Sequence, residues 1–219
     1  KGIKMKKLII FLITSMFFFG QASAIGLNVG VSGVQAVFHA EGEDNENGEK
    51  SKEDATGLAS YGSVFAEIRL NDFIAFGVDY VPEALESETS ETKVEDITTS
   101  TTSTIQTNKV QVDFEELTSA YVMLNLTEGL YVRGGVVQVD VVTNESLGTG
   151  STYDDTDLDG TIFGLGYNRT LDNGIFFRVE GNYMDFGSTS LTSTNNAENK
   201  ISLNDLIGAS ARIAVGKAF

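Results

Sequence analysis

The sequence predicts an all-β protein, specifically an eight-stranded antiparallel up-and-down transmembrane β-barrel. Three observations lead to this prediction. Apolar and polar residues alternate with a period of two in eight segments, which is the pattern of strands whose two faces meet different surroundings. The connections between these segments are alternately tight turns and long hydrophilic stretches. No segment after residue 24 keeps the 3.6-residue apolar period of a helix.

Residues 1–24 are predicted to be a signal peptide. Met5 is followed by Lys6 and Lys7, then by an apolar run over 8–19 and by Ala22-Ser23-Ala24, the usual order of a secretory signal. The alternative of a membrane-anchoring helix is disfavoured, because about 20 apolar residues are needed to cross a bilayer. Residues 1–4 are expected to lie upstream of the true start. The barrel domain is expected over 25–219.

The predicted strands and connections together give a topology. Asn71-Asp72, Thr127-Glu128-Gly129 and Asp172-Asn173-Gly174 have the composition of hairpin turns. Short turns at one end and long loops at the other are typical of transmembrane barrels, with the turns in the periplasm and the loops outside the cell. The predicted strands are 26–39, 60–71, 73–81, 110–126, 130–142, 161–171, 175–187 and 201–219, and the predicted loops are 40–59, 82–109, 143–160 and 188–200.

The two faces of the predicted strands differ in the way that a membrane barrel requires. Along 63–70, for example, Val64 and Ile68 alternate with Glu67 and Arg69, so one face is apolar and the other is charged. The phase of the fifth strand is ambiguous, and a β-bulge there would explain it. A soluble secreted β-sandwich also alternates, but aromatic residues clustered near strand ends favour the barrel.

The last two strands carry a resemblance to a known family. The segments 177–187 (FRVEGNYMDFG) and 209–219 (ASARIAVGKAF) resemble those of the small eight-stranded outer-membrane barrels, the superfamily of the OmpA transmembrane domain, OmpX, OmpW and the "porin family" β-barrel proteins. The resemblance implies a monomer surrounded by outer-membrane lipid in a Gram-negative cell, exported through the periplasm. It also implies that Phe219 is an assembly signal, recognised by the barrel assembly machinery. Lys217 departs from the family pattern, which usually has an aromatic residue there.

The charged residues on the predicted inner face are the main candidate site. Arginine suits a confined interior because its planar group pairs with carboxylates through two hydrogen bonds. One interpretation is a salt-bridged plug, since eight strands enclose a space that side chains can fill. The other is a narrow channel for ions or very small solutes. We expect Glu180 to pair with Arg212, and Glu67 to reach Arg69, Arg133 or Arg178. The full predicted network is Glu67, Arg69, Asp79, Arg133, Arg178, Glu180 and Arg212.

Two other motifs suggest chemistry only weakly. Asp155, Asp157 and Asp159, followed by Gly160, match the first half of a calcium-binding loop, but the twelfth position, which requires glutamate, is Gly166. This motif has two interpretations, a solvated acidic loop and a weak calcium-binding site. His39 is the single histidine and has no Ser-His-acid spacing around it. We therefore expect a protein that is not an enzyme and has no cofactor.

Composition limits the partners. The chain has 31 Asp and Glu against 15 Lys and Arg, so its formal net charge is −16, and electrostatic attraction to nucleic acid is excluded. There is no cysteine, which excludes disulfides and thiolate chemistry. The predicted loops are acidic and include a Ser/Thr-rich tract over 97–107. They would form either a hydrated, repulsive surface or a binding surface for an unknown extracellular ligand.

Overall fold

A computed structural model describes residues 26–46, 49–86, 90–96, 104–146 and 151–219. The predicted signal peptide lies outside these ranges. Within them, no helix is long and apolar enough to cross a membrane. The strands are β1 (Gly26–Glu46), β2 (Glu49–Arg69), β3 (Ile74–Tyr80), β4 (Leu85–Glu86), β5 (Ser90–Asp96), β6 (Thr104–Asn125), β7 (Leu130–Ser146), β8 (Thr156–Thr170), β9 (Ile175–Phe186), β10 (Thr189–Thr192) and β11 (Lys200–Ala218).

Eight of the strands in the described part of the chain form a closed antiparallel ring. Their order is β1-β2-β3-β6-β7-β8-β9-β11, and β11 pairs with β1 to close it. The ring is staggered. When the paired residues are followed from strand to strand around the barrel, the path returns to β1 ten residues further along that strand. This path runs Gly30, Phe65, Asp79, Ser119, Val137, Gly160, Phe186, Leu206, Ala40. The predicted eight-stranded barrel is confirmed.

The three predicted hairpin turns are present, and their side chains stabilise them. Asn71 Oδ1 accepts hydrogen bonds from the backbone N–H groups of Phe73 and Ile74, at 2.8 and 2.9 Å. Thr127 Oγ1 accepts one from Leu130 N at 3.0 Å, and Asn173 Oδ1 accepts one from Ile175 N at 3.0 Å. Such side-chain bonds to the backbone are the reason that Asn and Thr favour turns.

The opposite ends of the strands differ from the prediction. Residues 40–46 and 49–59, predicted as a loop, continue β1 and β2 as a paired ribbon up to Glu46 and Glu49. In the second and fourth connections, β5 pairs with β6 and β10 pairs with β11. A ribbon with both faces in water has no need of apolar alternation, because its backbone hydrogen bonds form whatever the side chains are. The alternation of apolar and polar residues therefore ends before the strands do.

Salt bridging also occurs within the first ribbon. Lys50 Nζ donates a hydrogen bond to Glu43 Oε1 at 2.6 Å, across the β1–β2 pair. The nearby ammonium lowers the pKa of the Glu43 carboxyl below its ordinary value. Both groups are in contact with solvent, so this pair contributes little to stability.

The bulge lies on β6, opposite the strand for which it was suggested. Glu115 pairs with Asp140 and Thr118 pairs with Gln138, so two residues of β6 have a single counterpart on β7. Glu116 has a positive φ of 52° at this point. At the level of the bulge, on the other side of β6, β3 gives way to β4 across a gap that includes Pro82, which has no N–H to donate to a strand partner. β7 itself keeps one phase, with Tyr131, Arg133 and Val137 buried.

The outward faces form an apolar belt. Large apolar side chains are exposed on every strand of the ring, whereas the alternate residues are buried inside it. The predicted alternation in the second, third, seventh and eighth predicted strands is thereby confirmed. A closed ring without free edges and with an apolar exterior can span a bilayer, because all backbone groups in the membrane are paired. The belt includes Val31, Val64, Phe76, Val122, Val136, Phe163, Leu165, Tyr167, Phe177, Val179, Tyr183, Ile213 and Val215.

Candidate functional site: the charged lumen

Two carboxylates organise the lower half of the lumen, and Glu67 on β2 is the first. Both Nη atoms of Arg178 donate to its two oxygens, with Nη2 at 2.7 Å from Oε2. Tyr121 Oη donates to Oε1 at 2.9 Å, and Asn28 Nδ2 donates to Oε2 at 3.1 Å. The side chain of Glu67 is inaccessible to solvent. A buried carboxylate with four donors is thus fully paired, as its desolvation requires.

Glu180 on β9 is the second organising carboxylate. It lies 3.1 Å from Arg133 Nη2 and 3.4 Å from Arg212 Nη1, both measured to Oε1. Tyr131 Oη donates to its other oxygen at 2.8 Å. Arg212 also donates to Asp79 and, through Nε, to Ser32 Oγ at 2.9 Å. A single arginine therefore joins two acidic residues from different strands.

Aromatic rings enclose the arginines. The guanidinium carbon of Arg178 lies 4.6 Å from the ring centre of Phe176 and 5.4 Å from that of Phe65. Arg212 lies 4.8 Å from the ring centre of Phe65, and Arg133 lies 4.6 Å from that of Tyr121. At these distances the ring quadrupole attracts the cation, which partly replaces lost hydration. The arginines are held both by carboxylates in their plane and by rings against their faces.

Glycines make room for these rings. A Cβ atom at Gly77 would overlap the ring of Tyr121, and one at Gly166 would overlap that of Tyr131. Gly77 faces inward on β3, next to the strand that carries Tyr121, and Gly166 faces inward on β8, next to the strand that carries Tyr131. Each tyrosine ring therefore lies flat against the barrel wall, with its hydroxyl toward a carboxylate. The close approach explains glycine at these two positions in a strand.

Above the charged layer, the interior is apolar. A cluster of buried side chains fills the upper barrel, and partly buried residues such as Phe38, Tyr61 and Phe114 pack against it. This layer was not predicted from the sequence, because the inner face was assigned to charged residues alone. The available signal was the series Val137, Val139 and Val141 in β7. The cluster is Val81, Leu117, Val137, Val139, Val141, Leu158, Ile162, Met184, Phe186 and Leu206.

Most of the predicted charged residues do come together. Glu67, Asp79, Arg133, Arg178, Glu180 and Arg212 form the network, the expected pair of Glu180 with Arg212 is present, and Glu67 selects Arg178. Arg69 does not join it: its guanidinium packs over Gly26 near the short turns, and no ion pair to it is found within the described ranges. The polar groups that complete the pairing were not predicted from the sequence; they are Asn28, Ser32, Tyr121, Tyr131 and Asn182.

The other predicted sites are not assembled. Asp157 and Asp159 lie two residues apart on β8 and face outward, so this segment is an extended strand rather than a loop folded around an ion. Gln138 Nε2 donates to Asp159 Oδ1 at 2.9 Å. Among the residues that the structure describes, no group of three His, Cys, Asp or Glu side chains, Asp155 included, could hold a metal. Weak calcium binding by Asp155, Asp157 and Asp159 stays a prediction.

His39 lies on the outer surface, near the top of the belt. Its Nδ1 is 3.0 Å from Thr56 Oγ1 on β2, and its Nε2 is 3.9 Å from Glu41 Oε1. Phe219 continues the closing ladder beyond β11: its N–H donates to Leu27 O at 2.8 Å and its side chain is exposed. An exposed terminal aromatic side chain is available for recognition, and its role as an assembly signal stays a prediction.

The comparisons with known proteins agree on the fold. No family model matches the sequence, and none of the curated proteins compared with it is significantly similar. Among solved structures, the outer membrane protein AlkL, determined in lipid bilayers, is 15% identical with a TM-score of 0.57, over 92% of this chain and 95% of AlkL. The fold is that of the outer-membrane β-barrels.

Two further barrels are similar more distantly. The outer membrane protease OmpT from Escherichia coli is 8% identical with a TM-score of 0.43, over 91% of this chain and 99% of OmpT. Ail, the attachment invasion locus protein of Yersinia pestis, is 10% identical with a TM-score of 0.39, over 87% of this chain and 99% of Ail. The apolar belt and the barrel fold assign the chain to the outer membrane of a Gram-negative cell.

Proposed function

We propose that this chain is a closed outer-membrane barrel, neither a pore nor an enzyme, that acts through its acidic extracellular surface. The observation that carries the first part is the filled lumen. Three arginines and three carboxylates, all but Asp79 at most 6% exposed, occupy its lower half, and the apolar cluster fills the space above them. A hydrated ion crossing this interior would have to separate paired charges and then pass an apolar layer. Both steps have high barriers in a dry interior.

The extracellular surface supports the second part of the proposal. On its outer face Glu41 lies directly opposite Asp54 on one neighbouring strand and Asp205 on the other. Glu115, Asp140 and Asp157 form a second row across β6, β7 and β8. Like charges at directly opposite positions destabilise a sheet. We attribute these opposed carboxylates to a function of the cell surface, which is either repulsion of other surfaces or attachment of a cationic partner.

Conductance of the purified, refolded barrel in planar bilayers tests the closed lumen. We expect the wild-type protein to show no steady current. Glu180→Ala should show brief current openings above this baseline, because two arginines lose their shared carboxylate while the apolar cluster above them remains. Asp185→Ala is the matched control: this carboxylate lies on the same strand but faces outward. A steady, cation-selective wild-type current would contradict the proposal and favour a narrow channel.

A further inference from the structure

We infer that a cavity at the top of the charged layer is a binding site for water, which links Arg133 to Asp79. The cavity measures about 30 Å³ and lies where the ion-pair network meets the apolar cluster. That volume is sufficient for one or two water molecules. Its polar lining consists of Tyr61, Asp79, Ser119, Arg133, Asn182, Ser210 and Arg212.

Arg133 supplies the donor that requires a ligand. Its Nε donates to Asn182 Oδ1 at 3.0 Å and its Nη2 donates to Glu180. Its Nη1 is buried and has no hydrogen-bond partner among the described protein atoms, although the residue is only 6% exposed. A buried guanidinium N–H without an acceptor is strongly unfavourable. An oxygen atom in the adjoining cavity removes this cost.

The charges around the cavity select a neutral ligand. Three arginines face three carboxylates in the lumen, so the network is balanced when all six groups are ionised. Arg212 also lines the cavity, but it is already paired with Asp79 and Glu180. An anion beside Arg133 would therefore add an uncompensated charge next to Asp79. A cation would be opposed by Arg133 itself. Water accepts from Arg133 and donates to a carboxylate, which is the combination that this lining needs.

The bound water would complete a cycle of charged groups. Arg133 contacts Glu180, Glu180 contacts Arg212, and Arg212 contacts Asp79. A water between Asp79 and Arg133 closes the cycle and ties β3 to β7 across the lumen. The cavity lies between the charged layer and the apolar cluster.

A crystal structure of the refolded barrel at high resolution, from crystals soaked in bromide, tests the inference directly. We expect one electron-density peak at hydrogen-bonding distance from Arg133 Nη1 and no anomalous signal in the cavity. An anomalous peak at that place would overturn the inference in favour of an anion site. An empty cavity, with Nη1 turned to a protein acceptor, would overturn it as well.

A substitution that fills the cavity provides an independent test in solution. Ser119→Val places a larger apolar group against the cavity, so it should expel the water and lower the folding equilibrium constant by about tenfold or more. In an Arg133→Met background the same substitution should have little effect, because the donor is gone. Thr161→Val, at an exposed outward position of β8, is the control in both backgrounds. Equal losses from Ser119→Val with and without Arg133 would show that no water depends on this arginine.

Discussion

Arg212 and Glu180 lie directly opposite each other on β11 and β9, with Arg212 Nη1 3.4 Å from Glu180 Oε1. The pair lies inside the barrel because both residues occupy inward positions of their strands. Glu180 is shared with Arg133, and Arg212 is shared with Asp79, so neither residue can be removed without affecting a third. This sharing makes Glu180 the most sensitive position of the network.

We expect Glu180→Ala to lower the free energy of unfolding by about 3–5 kcal/mol, because it leaves two buried guanidinium groups short of a partner. Urea titration of the barrel refolded into lipid vesicles measures this value. Asp185→Ala, which alters an exposed carboxylate on the same strand, should change it by less than about 0.5 kcal/mol. Equal effects of the two substitutions would indicate that water reaches Glu180.

We expect Glu67 and Arg178 to be strongly coupled, since their groups meet through two parallel hydrogen bonds in a site without solvent. A double-mutant cycle of Glu67→Gln and Arg178→Met should give a coupling energy of about 2–3 kcal/mol. The same cycle with Arg69→Met in place of Arg178→Met should give a value near zero. A large coupling to Arg69 instead would mean that the ion pair in the lumen is assigned to the wrong arginine.

We expect Gly77→Ala to destabilise the barrel by about 1–3 kcal/mol, because the added methyl group displaces the ring of Tyr121 and with it the hydrogen bond to Glu67. Gly33→Ala is the matched control: it is also a glycine within a strand, but a Cβ there meets no atom within 4 Å. Unfolding titrations of the two variants measure the difference. Similar stabilities would show that Tyr121 adjusts at no cost.

Single cysteines test the orientation of the barrel, since the native chain has none. Cysteines at Asn45 and Thr152, at the end with the long ribbons, should react with membrane-impermeant thiol reagents on intact cells. Cysteine at Asn173, in the turn before β9, should react only after the outer membrane has been opened. The opposite pattern of labelling would reverse the assigned orientation.

Deletion of Phe219 tests the predicted assembly signal. The side chain is 70% exposed, so its loss removes little packing from the folded barrel. We expect a lower amount of folded protein in the outer membrane, seen as a weaker heat-modifiable band on gels. The fraction that folds should be less stable only by the loss of the two backbone hydrogen bonds between Phe219 and Leu27. A normal yield of the truncated chain would show that this residue is not recognised during assembly.

The alternation of side chains was sufficient to predict the ring and most of the charged network. A lipid-facing strand must be apolar on one face, which fixes its phase, and the phase places Glu67, Arg178 and Arg212 inside. Pairing of neighbouring strands then brings Glu180 to Arg212. The choice of Arg178 as the partner of Glu67 could not be predicted, because it depends on distances across the lumen between strands that are not neighbours.

Other features of the structure have no recognisable pattern in the sequence. Tyr121 and Tyr131 look like belt residues in the sequence, and only the glycines facing them reveal that they lie inside. The ribbons above the membrane have two solvated faces, so their strands carry no period of two. Arg69 faces inward like Glu67, but it lies two residues further along β2, closer to the short turns and below the acidic residues.

The ten-residue stagger of the ring sets the size of the interior independently of what fills it. Eight strands with this stagger tilt by about 40°, and the spacings of a β-sheet then give a backbone radius of about 8 Å. Substitution of Glu180, Arg178 or their neighbours frees space only within that fixed cross-section. The conductance of such variants should therefore approach a ceiling, and a wider passage would need additional strands, such as a duplicated hairpin, rather than smaller side chains.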